Sequence, residues 1–135
     1  MIPIKSFMTT DVVTVKPDVP IYEALHLLSE REISGMPVVD DNNQVVGILS
    51  EKDVLRILID DKLDVTSKVS DYMSHGVVCF TETDNAFEIC KFFINSHYRR
   101  VPIVKDGKLV GIVSRRDIVG LILEVKSKIS DFRYD

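Results

Sequence analysis

Two stretches of this sequence carry the same constellation, Gly47, Ser50 and Asp53 and again Gly111, Ser114 and Asp117. Each follows an apolar run and opens an amphipathic one, so it is expected where a buried strand turns into a helix. A helix start presents unpaired N–H groups and a partial positive charge, which suit an anionic or polyhydroxyl ligand. A serine hydroxyl there can donate to a phosphate or sugar oxygen. An aspartate one turn in can accept from two neighbouring hydroxyls, as a ribose diol requires. The glycine admits another backbone or a flat ring at close approach. The same Ser-x-x-Asp spacing is also a variant of the capping box, which satisfies orphan N–H groups with no ligand at all. Capping and binding both account for it, and both can hold together.

The second copy adds cations. Arg99 and Arg100 precede Val101 and Pro102, and Arg115 and Arg116 lie inside the motif. Guanidinium forks suit phosphate, and two pairs at a strand start and a helix start could converge on one. The first copy has Ser34, Gly35, Glu51 and Lys52 at those places, so two sites would be chemically unequal. His26, His75 and His97 match at no repeat-related position and have no metal-ligand spacing, and are read as surface or structural. Cys79 and Cys90 form no CxxC and are read as small buried hydrophobes. No nucleophile–base–acid set and no GxxxxGK phosphate loop occurs, so the chain is not expected to be an enzyme.

The elements that must position these residues are themselves duplicated. Ser6, Phe7, Met8 and Thr9 are answered by Asp71, Tyr72, Met73 and Ser74, and Pro37 by Pro102. The Ser–Asp motifs repeat at an offset one residue shorter, the change falling in the turn where Asp41, Asn42, Asn43 and Gln44 face Lys105, Asp106, Gly107 and Lys108. Residues 12–15 are β-branched and read as a strand. A helix is expected with Pro20 at its first position and Ile21, Ala24, Leu25 and Leu28 on one face; Ala86, Ile89, Cys90 and Phe93 take the same four places. Two strands joined by a tight turn follow, nearly continuous in apolar residues and so expected to be buried on both faces. Pro37 and Pro102, lacking an N–H, are expected at a strand start or edge. A last helix is expected from Asp53 to Ile59, and a longer one from Asp117 through Ile122, Val125 and Ile129. The domain reading is repeat 1 over 1–62, a polar linker over 63–70, repeat 2 over 71–129 and a tail over 130–135. Pseudo-twofold packing would make the cleft between the copies the first place to look for a site.

At 135 residues, 45% apolar and 28% charged, the chain is long enough to bury a core and ordinary for a globular protein. A net charge of −4 disfavours nucleic acid as the main partner. No apolar run approaches a membrane span, and Lys5 and Asp11 interrupt any signal-like segment, so a cytoplasmic location is expected.

Taken in order and twice, these marks resemble a tandem pair of CBS (cystathionine-beta-synthase) domains, a Bateman module. They are Phe7 and Met8, Tyr72 and Met73, residues 12–15, Pro20 to Leu25, Ser34 to Asp40, and both Gly-x-x-Ser-x-x-Asp stretches. The resemblance implies an α/β (α+β) fold of two βαββα repeats packed through their sheets about a pseudo-twofold axis. It implies regulation by an adenosyl ligand such as AMP, ADP, ATP or S-adenosylmethionine, with no cofactor required. Carried over, one site would join Ile48, Ser50 and Asp53 to Val78, Cys79, Tyr98, Arg99 and Arg100. The other would join Ile112, Ser114, Arg116 and Asp117 to Val13, Ile33, Ser34 and Gly35. The aspartates would hold ribose hydroxyls, the arginines phosphate, and the apolar residues adenine. The Asp53 site, with two arginines opposite, is expected to be the stronger one for an AMP-like ligand. The resemblance also implies a homodimer and an effector protein that the sequence does not name. Two alternatives stay open: a ligand-free structural dimerisation module, and a binder of S-adenosylmethionine or methylthioadenosine rather than AMP.

Overall fold

A computed structural model describes the backbone of residues 2–59, 64 and 66–133, with side chains as far as residue 129. A 3-10 turn at Ile4–Ser6 is followed by α1 (Ile21–Glu30), β1 (Gly35–Val39), β2 (Val45–Ser50) and α2 (Glu51–Val54), which a 3-10 turn at Leu55–Leu58 continues. Then come α3 (Val69–Tyr72), β3 (Phe80–Thr81), α4 (Ala86–Ile94), β4 (Arg100–Lys105), β5 (Lys108–Ser114) and α5 (Arg115–Arg133). The fold is mixed α+β, with the order helix, strand, strand, helix given twice. Residues 60–62 of the first repeat and 63 and 65 of the linker lie outside the described residues, while Val69 and Ser70 already belong to α3. Of the tail, 134 and 135 lie outside them and 130–133 continue α5.

By packing, the chain forms two compact units. The first comprises Val12–Val78 with Asp106–Leu109; the second comprises Met1–Asp11, Cys79–Lys105 and Val110–Asp135. In the first, Ile21, Ala24 and Leu28 of α1 are buried against Met36, Val38 and Leu49 of the hairpin. Val69 and Tyr72 of α3 close the same core, and Leu25 packs beside it. In the second, Ile89 and Phe93 of α4 are buried with Val101, Ile103, Val113 and Ile118, while Ile4 enters from the N-terminal segment with Phe7 and Met8 beside it. Each buried Val, Leu, Ile, Met or Phe among them contributes roughly 1.5–3 kcal/mol by leaving water, so the two helix faces share one physical cause.

β1 and β2 pair antiparallel from Gly35 opposite Ser50 to Val39 opposite Val45, and the second unit orders its strands β3-β4-β5. The turn between β4 and β5 places both Asp106 (φ 53) and Gly107 (φ 79) in the left-handed region, as a two-residue hairpin loop requires.

Two expectations need correction. Residues 12–15 do not form a strand: only Val15 bridges, to Val38. Pro37 lies in β1, an edge strand of its two-stranded sheet, as expected, whereas Pro102 lies inside β4, the middle strand of its sheet, rather than at a strand start or edge. Ile48, opposite Pro37, gives its N–H and C=O to Ser74 (3.1 and 2.8 Å), so β2 asks no N–H of the proline. On the other side Val15 donates to the Pro37 carbonyl (3.2 Å) and accepts from Val39 (2.9 Å). The next rung towards residue 13 would need the proline N–H, so the ladder stops at Val15. One repeat later the same register begins β3 at Phe80, opposite Ile103 and next to Pro102.

Helix limits also shift. Pro20 is the cap of α1 rather than its first residue, and the helix expected from Asp53 to Ile59 is a four-residue α2 from Glu51 followed by a 3-10 turn.

Candidate functional site

Both Ser–Asp motifs form closed capping boxes at strand–helix junctions. Ser50 N–H and Ser50 Oγ–H both donate to Asp53 Oδ2 at 2.9 Å, and Asp53 N–H donates back to Ser50 Oγ at 3.4 Å. In the second unit Ser114 N–H (2.8 Å) and Oγ–H (3.0 Å) donate to Asp117 Oδ2, and Asp117 N–H donates to Ser114 Oγ at 3.2 Å. Each box satisfies N–H groups that a helix start leaves without partners. Glu51 N–H goes to the Ser34 carbonyl and Arg115 N–H to the Arg99 carbonyl, both at 2.9 Å.

The glycines serve a backbone approach. A Cβ on Gly47 would meet Met73 Sδ at 2.6 Å and the Ser74 carbonyl at 3.0 Å; on Gly111 it would meet Met8 Sδ at 2.7 Å and the Thr9 carbonyl at 3.0 Å. Ser74 and Ile48 exchange backbone hydrogen bonds, and Thr9 and Ile112 do the same at 2.9 Å each way. The paired methionines were visible in the sequence as a repeat mark, but their packing role was not.

Within the first unit Ser50 and Asp53 therefore sit with Ser34 and Gly35, the latter opposite Ser50 in the sheet. Ile48 is buried, and Val13 and Ile33 pack against the core. Val78 is exposed. Within the second unit Ser114 and Asp117 sit with Arg99 and Arg100 at the head of β4. Tyr98 stacks on Phe92 (5.5 Å, 20°), which meets Phe80 edge-on, so the tyrosine is braced although 42% exposed. Ile112 is half-buried, and Arg116 is exposed. Cys79 and Cys90 are half-buried rather than fully enclosed, and burial pushes the Cys79 thiol pKa up.

Arg115 is committed elsewhere. Its guanidinium donates to the Phe93 (3.2 Å) and Ser96 (3.0 Å) carbonyls and lies over the Phe93 ring, closing the C-terminal end of α4, where a cation is favoured. Arg56 acts alike in the first unit, donating to the Tyr72 and Asp53 carbonyls. One residue near the box was missed from sequence: Ser74, whose hydroxyl donates to Asp53 Oδ1 at 3.2 Å. Its signal was its place after the repeated methionine.

Among the described residues no group of three or more His, Cys, Asp or Glu could hold a metal ion, and no helix is long and apolar enough to cross a membrane. The chemistry on offer is that of hydroxyl donors, carboxylate acceptors and guanidinium groups around two strand–helix junctions.

Known proteins resemble this chain in sequence and in fold. The chain is 31% identical over 120 residues to uncharacterized protein MJ1225 of Methanocaldococcus jannaschii, covering 89% of this chain and 42% of that protein. It is 36% identical over 123 residues to an uncharacterized 17.7 kDa protein of Acidianus ambivalens, covering 90% and 74% respectively. CBSX2 of Arabidopsis thaliana, solved in complex with AMP, superposes with a TM-score of 0.85 at 31% identity, covering 93% of this chain and 99% of that one. This chain thus spans less than half the length of the first of these relatives and nearly all of the solved one. The CBS domain profile matches residues 4–60 and again 69–124, taking in both capping boxes and both methionine–glycine contacts, and the chain belongs to the CBS domain family as a tandem pair.

Proposed function

We propose that this chain is a cytoplasmic regulatory module that binds an adenosyl ligand of the AMP, ADP or ATP kind and relays that state to an effector protein, with no catalysis of its own. The observation that carries the reading is the twice-built Ser–Asp box, in a chain 31% identical to a protein solved with AMP. In this reading Asp53 and Asp117 hold ribose hydroxyls, Arg99, Arg100 and Arg116 take phosphate, and apolar strand residues flank adenine. That each box works with residues of the other repeat is carried over from the resemblance and belongs to the proposal.

The test is a thermal-shift panel of AMP, ADP, ATP, S-adenosylmethionine, methylthioadenosine and NADH on the wild type, Asp53→Ala and Asp117→Ala. A ligand at about 100 times its Kd stabilises by roughly 2.7 kcal/mol, a readily measured rise in melting temperature. A shift for adenosyl compounds that each substitution reduces supports the reading. No shift with any of them favours a ligand-free dimerisation module, a reading that the self-sufficient capping boxes support. Relay to a partner follows if the ligand prefers one arrangement of the protein over another.

Homodimerisation is part of the same proposal. Val119, Ile122 and Leu123 of α5 are 56%, 60% and 62% exposed at helical spacing, an apolar face that a second copy would cover. Sedimentation that finds only monomer at about tens of micromolar counts against it.

A further inference from the structure

Ser74 makes the two boxes unequal in what they can hold. Its backbone exchanges hydrogen bonds with Ile48, which sets its side chain beside Asp53, and its hydroxyl donates to Asp53 Oδ1 at 3.2 Å. Thr9 occupies the same place in the second unit, with the same exchange to Ile112. Yet among the described residues no donor reaches Asp117 Oδ1.

A carboxylate offers about four lone-pair positions, two on each oxygen. In both boxes the serine N–H and Oγ–H fill Oδ2. What remains is Oδ1, open in both positions at Asp117 and in only one at Asp53. A cis-diol gripping the carboxylate needs two acceptor positions. It meets them at Asp117 as the side chain stands, and at Asp53 only after displacing the Ser74 hydroxyl. A ligand with a single hydroxyl needs one position and finds it in either half.

We infer that Ser74 is a specificity-determining residue of the Asp53 half: its hydroxyl competes with a ribose cis-diol and leaves a single-hydroxyl ligand nearly unaffected. The inference rests on the adenosyl reading of the boxes and adds which half discriminates, and how.

Titration calorimetry with AMP and 2′-deoxy-AMP tests it, on Asp117→Asn and on Asp117→Asn/Ser74→Ala. The asparagine keeps a capping oxygen while weakening the other half. Removing the Ser74 hydroxyl is expected to tighten AMP about fivefold, the worth of one ordinary hydrogen bond, and 2′-deoxy-AMP by less than about twofold. Ser74→Val provides a second variant, shaped like the Thr9 that the other half already accommodates. In an Asp53→Asn background Ser74→Ala should change nothing. Unchanged or weaker AMP binding on removing Ser74, or an equal gain for both nucleotides, overturns the inference while the adenosyl reading stands. Absence of binding by the folded wild type overturns both.

Discussion

Replacing Gly111 by alanine should destabilise the second unit without touching any polar group. The added Cβ would stand 2.7 Å from Met8 Sδ, 3.1 Å from Met8 Cγ and 3.0 Å from the Thr9 carbonyl oxygen. Ordinary contacts between such atoms lie near ~3.5–4.0 Å. The thioether can swing aside, but the Thr9 carbonyl is held by the Ile112 N–H at 2.9 Å, so side-chain motion alone does not relieve the overlap. Overpacking of this kind costs about 1–3 kcal/mol. Against it, alanine restricts the unfolded chain and returns about 0.4–1 kcal/mol. At the middle of both ranges the net is a loss of about 1.3 kcal/mol, and at roughly 3–5 °C per kcal/mol for a chain of this size Tm should fall by about 4–7 °C. Scanning calorimetry reads this directly. Gly47→Ala, with Met73 Sδ at 2.6 Å and the Ser74 carbonyl at 3.0 Å, should behave alike. A cycle with Met8→Ala should show a coupling of about 0.5–3 kcal/mol, because the smaller side chain removes one of the two overlaps. A Gly111→Ala protein that melts with the wild type would refute the claim that these glycines are kept for close packing.

Arg115→Met should lower the urea midpoint by the equivalent of about 1–2 kcal/mol, since the Phe93 and Ser96 carbonyls lose their donor, and should leave nucleotide affinity unchanged. Lost affinity at unchanged stability would instead place Arg115 on phosphate. Burial raises the Cys79 thiol pKa, so in a Cys90→Ser background iodoacetamide should alkylate it more slowly near pH 8 than a free thiol, and faster as pH climbs above the ordinary thiol range. By linkage, burial of Cys79 costs the fold nothing below the unfolded thiol pKa, where both states are neutral, and lowers stability as pH rises from there through the folded one. Peptide mass spectrometry across pH measures the rate, and a thiol as reactive as free cysteine at pH 8 contradicts the burial.

Much of the architecture was readable because the two copies constrain each other. Ile21, Ala24 and Leu28 share no identity with Ile89 and Phe93 beyond shape, yet the face survives, and both faces are buried. The tight turn was readable from Asp106 and Gly107 for the same local reason, two residues that tolerate positive φ. Segments whose state depends on a partner strand were not legible one at a time. Residues 12–15 have strand composition, but whether a ladder forms depends on the partner, and the partner carries Pro37. Pro37 in turn is tolerated inside β1 only because Ile48 turns its polar groups to Ser74. Around the boxes, Ser50, Asp53, Ser114 and Asp117 were readable because residue type and spacing define them. Ser74 was not, because its hydroxyl reaches Asp53 across a fold contact between segments far apart in sequence. Arg115 looked equivalent to its neighbour Arg116, and only the end of α4 distinguishes them.

The N-terminal segment packs within the second unit, where Ile4 joins Ile118 in one core and Thr9 bonds to Ile112. During synthesis this segment leaves the ribosome long before its partners exist. Roughly a hundred further residues, at roughly 5–20 residues per second, put the wait on the order of 5–20 s. Helix α1 and the first hairpin can meet within that interval, whereas Thr9 has no Ile112 to bond to, and Met8 no Gly111 to pack on, until β5 emerges. Slowing translation ahead of β5 should therefore lengthen the life of one defined sticky intermediate, in which the first unit has its helix and hairpin and the second lacks an edge.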